Sequence, residues 1–190
     1  MARRADSTDP RALRTRQALL DATLDLVREQ RAETISVAQI IDRAGTSRQA
    51  FYEHFDDRDD AIVAAVREST GKRLMELTRD LAPEWSSSEA LLPLLALLDE
   101  ERVLYQNLHG GPVQARAMDT GREALEPVAR SLAQELCGTG DSSLVDDVTV
   151  FLVGGFLDSI VHWIRLGLTP EQARERAEDL WDLLVRAVRR

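Results

Sequence analysis

Cysteine, lysine and aromatic residues are scarce in this chain of 190 residues. The single cysteine, Cys137, excludes an internal disulfide and fits a reducing compartment, so a cytoplasmic setting is expected. The N-terminus has no apolar core followed by a small-residue cleavage site, and no secretory signal is read there. Long hydrophobic runs are also missing. The longest uncharged apolar stretch, Val148 to Leu157, falls far short of the roughly 20 residues that span a bilayer, so no membrane association is expected. Lys72 is the only lysine, which reads as a compositional bias. The three histidines, His54, His109 and His162, show no metal-ligand spacing, and no phosphate-loop or dinucleotide glycine pattern occurs. Neither a cofactor nor a metal is expected. Cys137 has no histidine near it in sequence, and the pair Asp146–Asp147 reads as a solvated face. An enzyme is therefore not expected.

What is present is hydrophobic residues at 44% and charged residues at 30%, enough for a buried core in a soluble protein. No segment alternates with a period of two; apolar positions recur at three and four. The reading is all-α, with about nine helices. Leu13, Leu20, Leu24 and Val27 mark a first helix over about 11 to 30. Ser36 caps a second and Gly45 ends it. Ser47 caps a short third containing Phe51 and Phe55. Asp56 or Asp57 starts a fourth that runs toward Leu81, where Pro83 breaks it. One capped helix is expected from the serines after Pro83 to Leu108, then helices over 113 to 119 and 121 to 137. A long helix from Leu144 to Leu166 is apolar nearly all round. Thr169 caps the last helix, with Pro170 at its first position.

The net charge of −9 is unevenly placed. Residues 1–58 hold ten arginines and ten acids, so the whole deficit falls on the remainder. Within residues 1–16 five arginines face two aspartates. The N-terminal third can meet phosphates, and the rest repels them.

The stretch TSRQAFYEHFDDRDD, residues 46–60, concentrates chemistry. The second helix, the Gly45 turn and the third helix have the dimensions of a helix-turn-helix, whose second short helix enters the DNA major groove. With Phe51 and Phe55 turned to the core, Arg48, Gln49 and Tyr52 fall on or near the outward face. Arginine pairs two ways with guanine and glutamine two ways with adenine. Ser36, Ser47, Tyr52 and His54 have hydroxyl or imidazole groups suited to phosphate, which fixes register without reading sequence.

Residues 11–62 resemble the DNA-binding domain of the TetR family of transcriptional regulators. The matching stretch is TISVAQIIDRAGTSRQAFYEHFDDRDDAI, in which Ser36, Ile40, Ala44, Gly45, Ser47, Phe51, Tyr52, His54 and Phe55 follow the family pattern. The remainder is similar in size, helix count and the turn from Trp163 to Gly167. Three positions depart from the pattern. Gln49 stands where a small residue is common, Arg58 replaces a frequent lysine, and Ala38 occupies a place where some members have a base-reading cation. The resemblance implies a phosphate role for Arg58 and less readout from the second helix.

The resemblance further implies a homodimeric, ligand-responsive repressor bound to a palindromic double-stranded DNA operator. It divides the chain into a flexible basic arm over 1–10, the DNA-binding domain over 11–62, and a helical effector-binding and dimerisation domain over 63–190. The residues expected to join the subunits are Leu152, Phe156, Trp163, Trp181, Leu184 and Val188. The small apolar or amphipathic effector is expected to meet Tyr105, Asn107, His109, Met118, Phe151 and Phe156. The alternative is a DNA-binding architectural protein without an effector.

Overall fold

Asp9 accepts a hydrogen bond from the Arg11 amide at 2.9 Å, and Pro10 takes the first helical position, where its missing N–H costs nothing. From this start α1 runs over Pro10–Glu29. A 3₁₀ turn, Ala32–Thr34, leads to α2, Val37–Arg43, and then to α3, Arg48–His54, and α4, Arg58–Val66. Five residues, Arg67–Gly71, form a π-helical turn that continues into α5, Lys72–Leu81. The later helices are α6, Leu92–Glu100; α7, Arg102–Leu108; α8, Pro112–Cys137; α9, Ser142–Leu166; and α10, Pro170–Val188. This computed structural model describes residues 9–81, 92–138 and 142–188. Among them every regular element is helical, and the all-α expectation holds.

Two boundaries differ from those expected. The helix expected up to Leu108 is interrupted at Glu101, which separates α6 from α7; its serine cap lies outside the described residues. The break expected near Gly121 does not occur, and α8 runs through it. A methyl group at Gly121 would lie 3.1 Å from a Leu157 methyl, so this glycine gives α8 and α9 room to approach. Pro127 also sits inside α8, where it withholds one N–H from the helical ladder.

The chain divides into two compact units, one built from residues up to Thr70 together with Val103–Ala117, the other from Gly71–Arg102 and Met118 onward. The expected boundary between 62 and 63 did not foresee that α7 and the start of α8 join the N-terminal unit. The first unit buries Leu19, Val27, Ile35, Ile40, Phe51 and Ile62 almost completely. Each such side chain contributes about 1.5–3 kcal/mol over an exposed position. Leu104, Leu108 and Val113 complete this core. The Asn107 amide donates to the Val27 carbonyl at 2.8 Å, which satisfies a carbonyl in the last turn of α1.

In the second unit α6 packs against α5 and α10. The Arg102 guanidinium bridges the Asp99 carboxylate and the Leu168 carbonyl. Arg130 on α8 reaches Asp146 on α9 at 2.7 Å. Thr169 and Gln172 exchange hydrogen bonds as a capping box at the start of α10. On α9, Val145, Thr149, Val153, Ile160, Trp163 and Ile164 are buried, whereas Val150 is 73% and Phe151 69% exposed.

Candidate nucleic-acid interface

Ser36 and Ser47 set the two short helices. The Ser36 hydroxyl accepts from the Gln39 amide at 3.2 Å, and the Gln39 side chain accepts from the Ser36 amide at 2.9 Å. Ser47 caps α3 by accepting from the Ala50 amide at 3.1 Å. Between them Gly45 takes φ +62°, and the Thr46 amide bonds the Ile41 carbonyl at 3.0 Å. Only glycine enters that left-handed region without penalty. The turn aims α3 so that Phe51 and Phe55 are buried against α1 and α4 core residues, with their ring centroids 5.7 Å apart.

The opposite face of α3 presents Arg48, Gln49 and Tyr52, all exposed. The Tyr52 ring stands edge-on to Phe51 at 5.3 Å, which orients it outward. Arg48 lies over the Tyr52 ring at 5.7 Å, and its Nη2 reaches the Tyr52 hydroxyl at 3.4 Å. Gln49 is similarly steadied by Glu53, with Nε2 donating to Oε1 at 3.3 Å. Both side chains are held one turn along the helix by neighbours, and both remain open to solvent. An arginine fork and a glutamine amide at the start of a capped, exposed helix are the groups that pair two ways with guanine and adenine edges. The Ser36 hydroxyl is within 3.0 Å of the Gln39 side-chain carbonyl oxygen and is used locally.

Two expected phosphate contacts are corrected. His54 is 5% exposed, with its ring tilted against Phe55 at 6.3 Å, because the position one turn after Phe51 points to the core. Arg58 turns back beneath the connection from α1 to α2. Its Nη1 donates to the carbonyls of Glu33, at 2.5 Å, and Ile35, at 2.9 Å, and its Nε to Asp59 at 2.9 Å. The 3₁₀ turn leaves these carbonyls without helical donors, and Arg58 supplies them. Other cations are also engaged. Arg43 forms a two-pronged pair with Glu29 at 2.7 and 2.9 Å, which holds the Glu29 carboxyl below its ordinary range and raises Arg43. Arg31 does the same for Glu33, chiefly by its hydrogen bond.

Three expected effector contacts also fall elsewhere. Tyr105 packs on the core of the first unit, Asn107 holds the end of α1, and the His109 carbonyl accepts from Arg31 at 3.1 Å. Partners some 80 residues apart leave no trace in local periodicity.

The second unit holds a cavity of about 210 Å³ between α8, α9 and α10. Phe151 and Phe156 line it; Met118 does not. Leu152, Trp163 and Trp181, expected at a subunit interface, line it as well. Trp163 is 6% exposed, so its surface is spent inside its own unit. The side chains of Leu184 and Val188 lie outside the described residues. Among the described residues of these two helices, the large apolar side chains that face outward are others: Leu144, Val150, Phe151 and Leu166 on α9, with Leu180 and Leu183 on α10. Those on α9 were part of the all-round apolar pattern of residues 144–166, which periodicity alone could not divide into sides.

Among the described residues no helix is long and apolar enough to cross a membrane, and no cluster of histidine, cysteine and acids could hold a metal. No curated protein matches the chain. Solved structures do match in fold. A transcriptional regulator of the "TerR/AcrR family" from Aquifex aeolicus VF5 is 19% identical, with a TM-score of 0.61 over 90% of this chain and 99% of that one. A TetR transcriptional regulator from Streptococcus agalactiae 2603V is also 19% identical, with a TM-score of 0.62 over 93% and 98%. The TetR family repressor AlkX from Dietzia sp. strain DQ12-45-1b is 18% identical, with a TM-score of 0.52 over 92% and 95%. The family described as "Bacterial regulatory proteins, tetR family" matches residues 19–66, which run from the middle of α1 through α2 and α3 to the last residue of α4. This domain, with Arg48, Gln49 and Tyr52 outward on its third helix, is thus similar to that of the tetR family of bacterial regulatory proteins.

Proposed function

We propose that the protein is a cytoplasmic, ligand-responsive repressor that binds a palindromic operator as a homodimer. The observation that carries the reading is the outward pair Arg48 and Gln49 at the start of the Ser47-capped α3, steadied by Tyr52 and Glu53. One such helix covers only a few base pairs. The charges of residues 1–58 cancel, so nonspecific attraction to phosphate is weak. Tight binding therefore calls for two reading heads, their helices roughly 34–36 Å apart along one face of the duplex.

A second copy is the natural cover for the outward apolar side chains of α9 and α10. Gly154 and Gly155 leave open space where a methyl group would stand, which favours close approach of another helix. The reading assigns DNA binding to the first unit, and dimerisation and effector binding to the second. The effector acts by binding one arrangement of the two heads more tightly than another. Footprinting on the DNA that flanks the protein's own gene tests this, with the mass in solution measured alongside. A protected palindrome and a dimeric mass are expected. A monomer at micromolar concentration that still binds tightly contradicts the dimer, and an absence of any protected sequence contradicts the operator.

A further inference from the structure

We infer that the cavity between α8, α9 and α10 takes a neutral, apolar small molecule and that the site is completed by the second copy of the chain. The inference rests on the dimeric, ligand-responsive reading above and names the chemistry of its ligand. The floor of the cavity is buried. Leu125 is 3%, Val128 2% and Ala177 4% exposed, and Trp163 closes one wall. Among the described residues Ser159 carries the single hydroxyl of the lining, the two tryptophans carry indole N–H groups, and no charged side chain lines the space. A carboxylate or ammonium brought here would lose its hydration without a partner charge, which sets neutrality as the first requirement. An apolar body with one acceptor or donor for Ser159 is the chemistry that fits a pocket of this kind. The volume of about 210 Å³ holds a molecule of one or two rings, or a short chain.

The rim differs from the floor. Phe151 is 69% and Leu180 42% exposed, and Gly155 is also open to solvent. These rim residues lie on the same two helices as the outward Leu144, Val150 and Leu183. A partner that covers the apolar face of α9 and α10 therefore also covers the mouth. The lone chain leaves an apolar hollow wet, while the dimer seals it around an occupant. Ligand and partner then favour the same state, and each strengthens the binding of the other by the same factor.

The test titrates the full chain with N-phenyl-1-naphthylamine, a neutral apolar fluorophore, while sedimentation reports mass. Saturable binding of one probe per chain is expected, with a mass that stays dimeric. An anionic naphthalene sulfonate should bind at least tenfold more weakly. Ala129→Leu and, from another helix, Ala177→Leu fill the floor without touching the rim. Each should lower probe affinity at least tenfold while the dimer persists. Phe151→Asp, at an exposed position, should give folded monomers with a similar loss. Probe binding unchanged in both filled variants overturns the assignment of the cavity, and equal or tighter binding of the anion overturns the ligand class. A probe that splits the dimer shows the hollow to be a subunit-docking groove, which overturns the proposal as well. Undiminished binding to Phe151→Asp monomers overturns the shared site. A wild-type chain that is monomeric without probe contradicts the dimer reading itself, a separate readout from these.

Discussion

Arg48 lies over the ring of Tyr52, its guanidinium carbon 5.7 Å from the ring centroid, four residues away on the exposed face of α3. Tyr52 in turn stands edge-on to the buried Phe51. The core of the first unit thereby orients the outermost cation of its third helix through two aromatic rings. Stacking of this kind contributes about 0.5–1 kcal/mol at an exposed site and removes rotamer freedom before any ligand arrives. Replacing Tyr52 by leucine should weaken DNA binding through Arg48, and the double variant with Arg48→Ala should show less than the sum of the two single losses. Additive losses would mean that the ring acts on its own.

Gly45→Ala tests the turn. The added methyl would meet nothing within 4 Å, so its whole cost is the left-handed backbone at φ +62°. A loss of about 1–2 kcal/mol in chemical denaturation is expected. Gly45→Asn should cost less, since asparagine enters that region more readily. Equal stability for wild type and the Gly45→Ala variant would remove the argument from backbone conformation.

Arg58 is assigned to the fold and not to phosphate. Arg58→Met should destabilise the chain by about 1–3 kcal/mol, because the Glu33 and Ile35 carbonyls lose a charged donor. The slope of log affinity against log salt on operator DNA should stay the same, whereas loss of a phosphate contact would lower it by about 0.9. A shallower slope with unchanged stability would restore the role that the family resemblance implied.

Much of this was legible in sequence. Caps at Ser36, Ser47 and Asp57 have short-range signatures, and so does the Gly45 turn. The outward Arg48 and Gln49 follow from their spacing to Phe51 and Phe55. What was not legible depends on distant partners. Arg58 looked like a free cation because the carbonyls it serves lie 23 and 25 residues earlier. His54 fits the outward pattern by composition, and only packing against Phe55 shows it buried. Gly121 resembled a helix break, and its use appears only when Leu157 is brought beside it. Asn107 and His109 were placed near an effector because their ties to Val27 and Arg31 are long in sequence.

The Glu29–Arg43 pair predicts a pH effect. The Arg43 hydrogen bond holds the Glu29 carboxyl below its ordinary value. A group depressed in the folded state contributes stability above its unfolded pKa, about 4.3 for glutamate, and loses it as pH falls through the lower folded value. Wild type should therefore melt higher than Glu29→Gln near neutral pH, and the gap should close under acid conditions. Both side chains are largely exposed, so the gap should also shrink with added salt. A gap that widens as pH falls would contradict the pairing.

The central claim is that α3 reads base edges with Arg48. The measurement is equilibrium affinity of wild type and Arg48→Ala for the operator and for every single base-pair substitution of one half-site. The account predicts that Arg48→Ala loses about 1–3 kcal/mol on the natural site and becomes indifferent to the base at one position, with preference elsewhere retained. An equal loss on all sequences, with the full pattern of base preference intact, would make Arg48 a phosphate contact and contradict the claim.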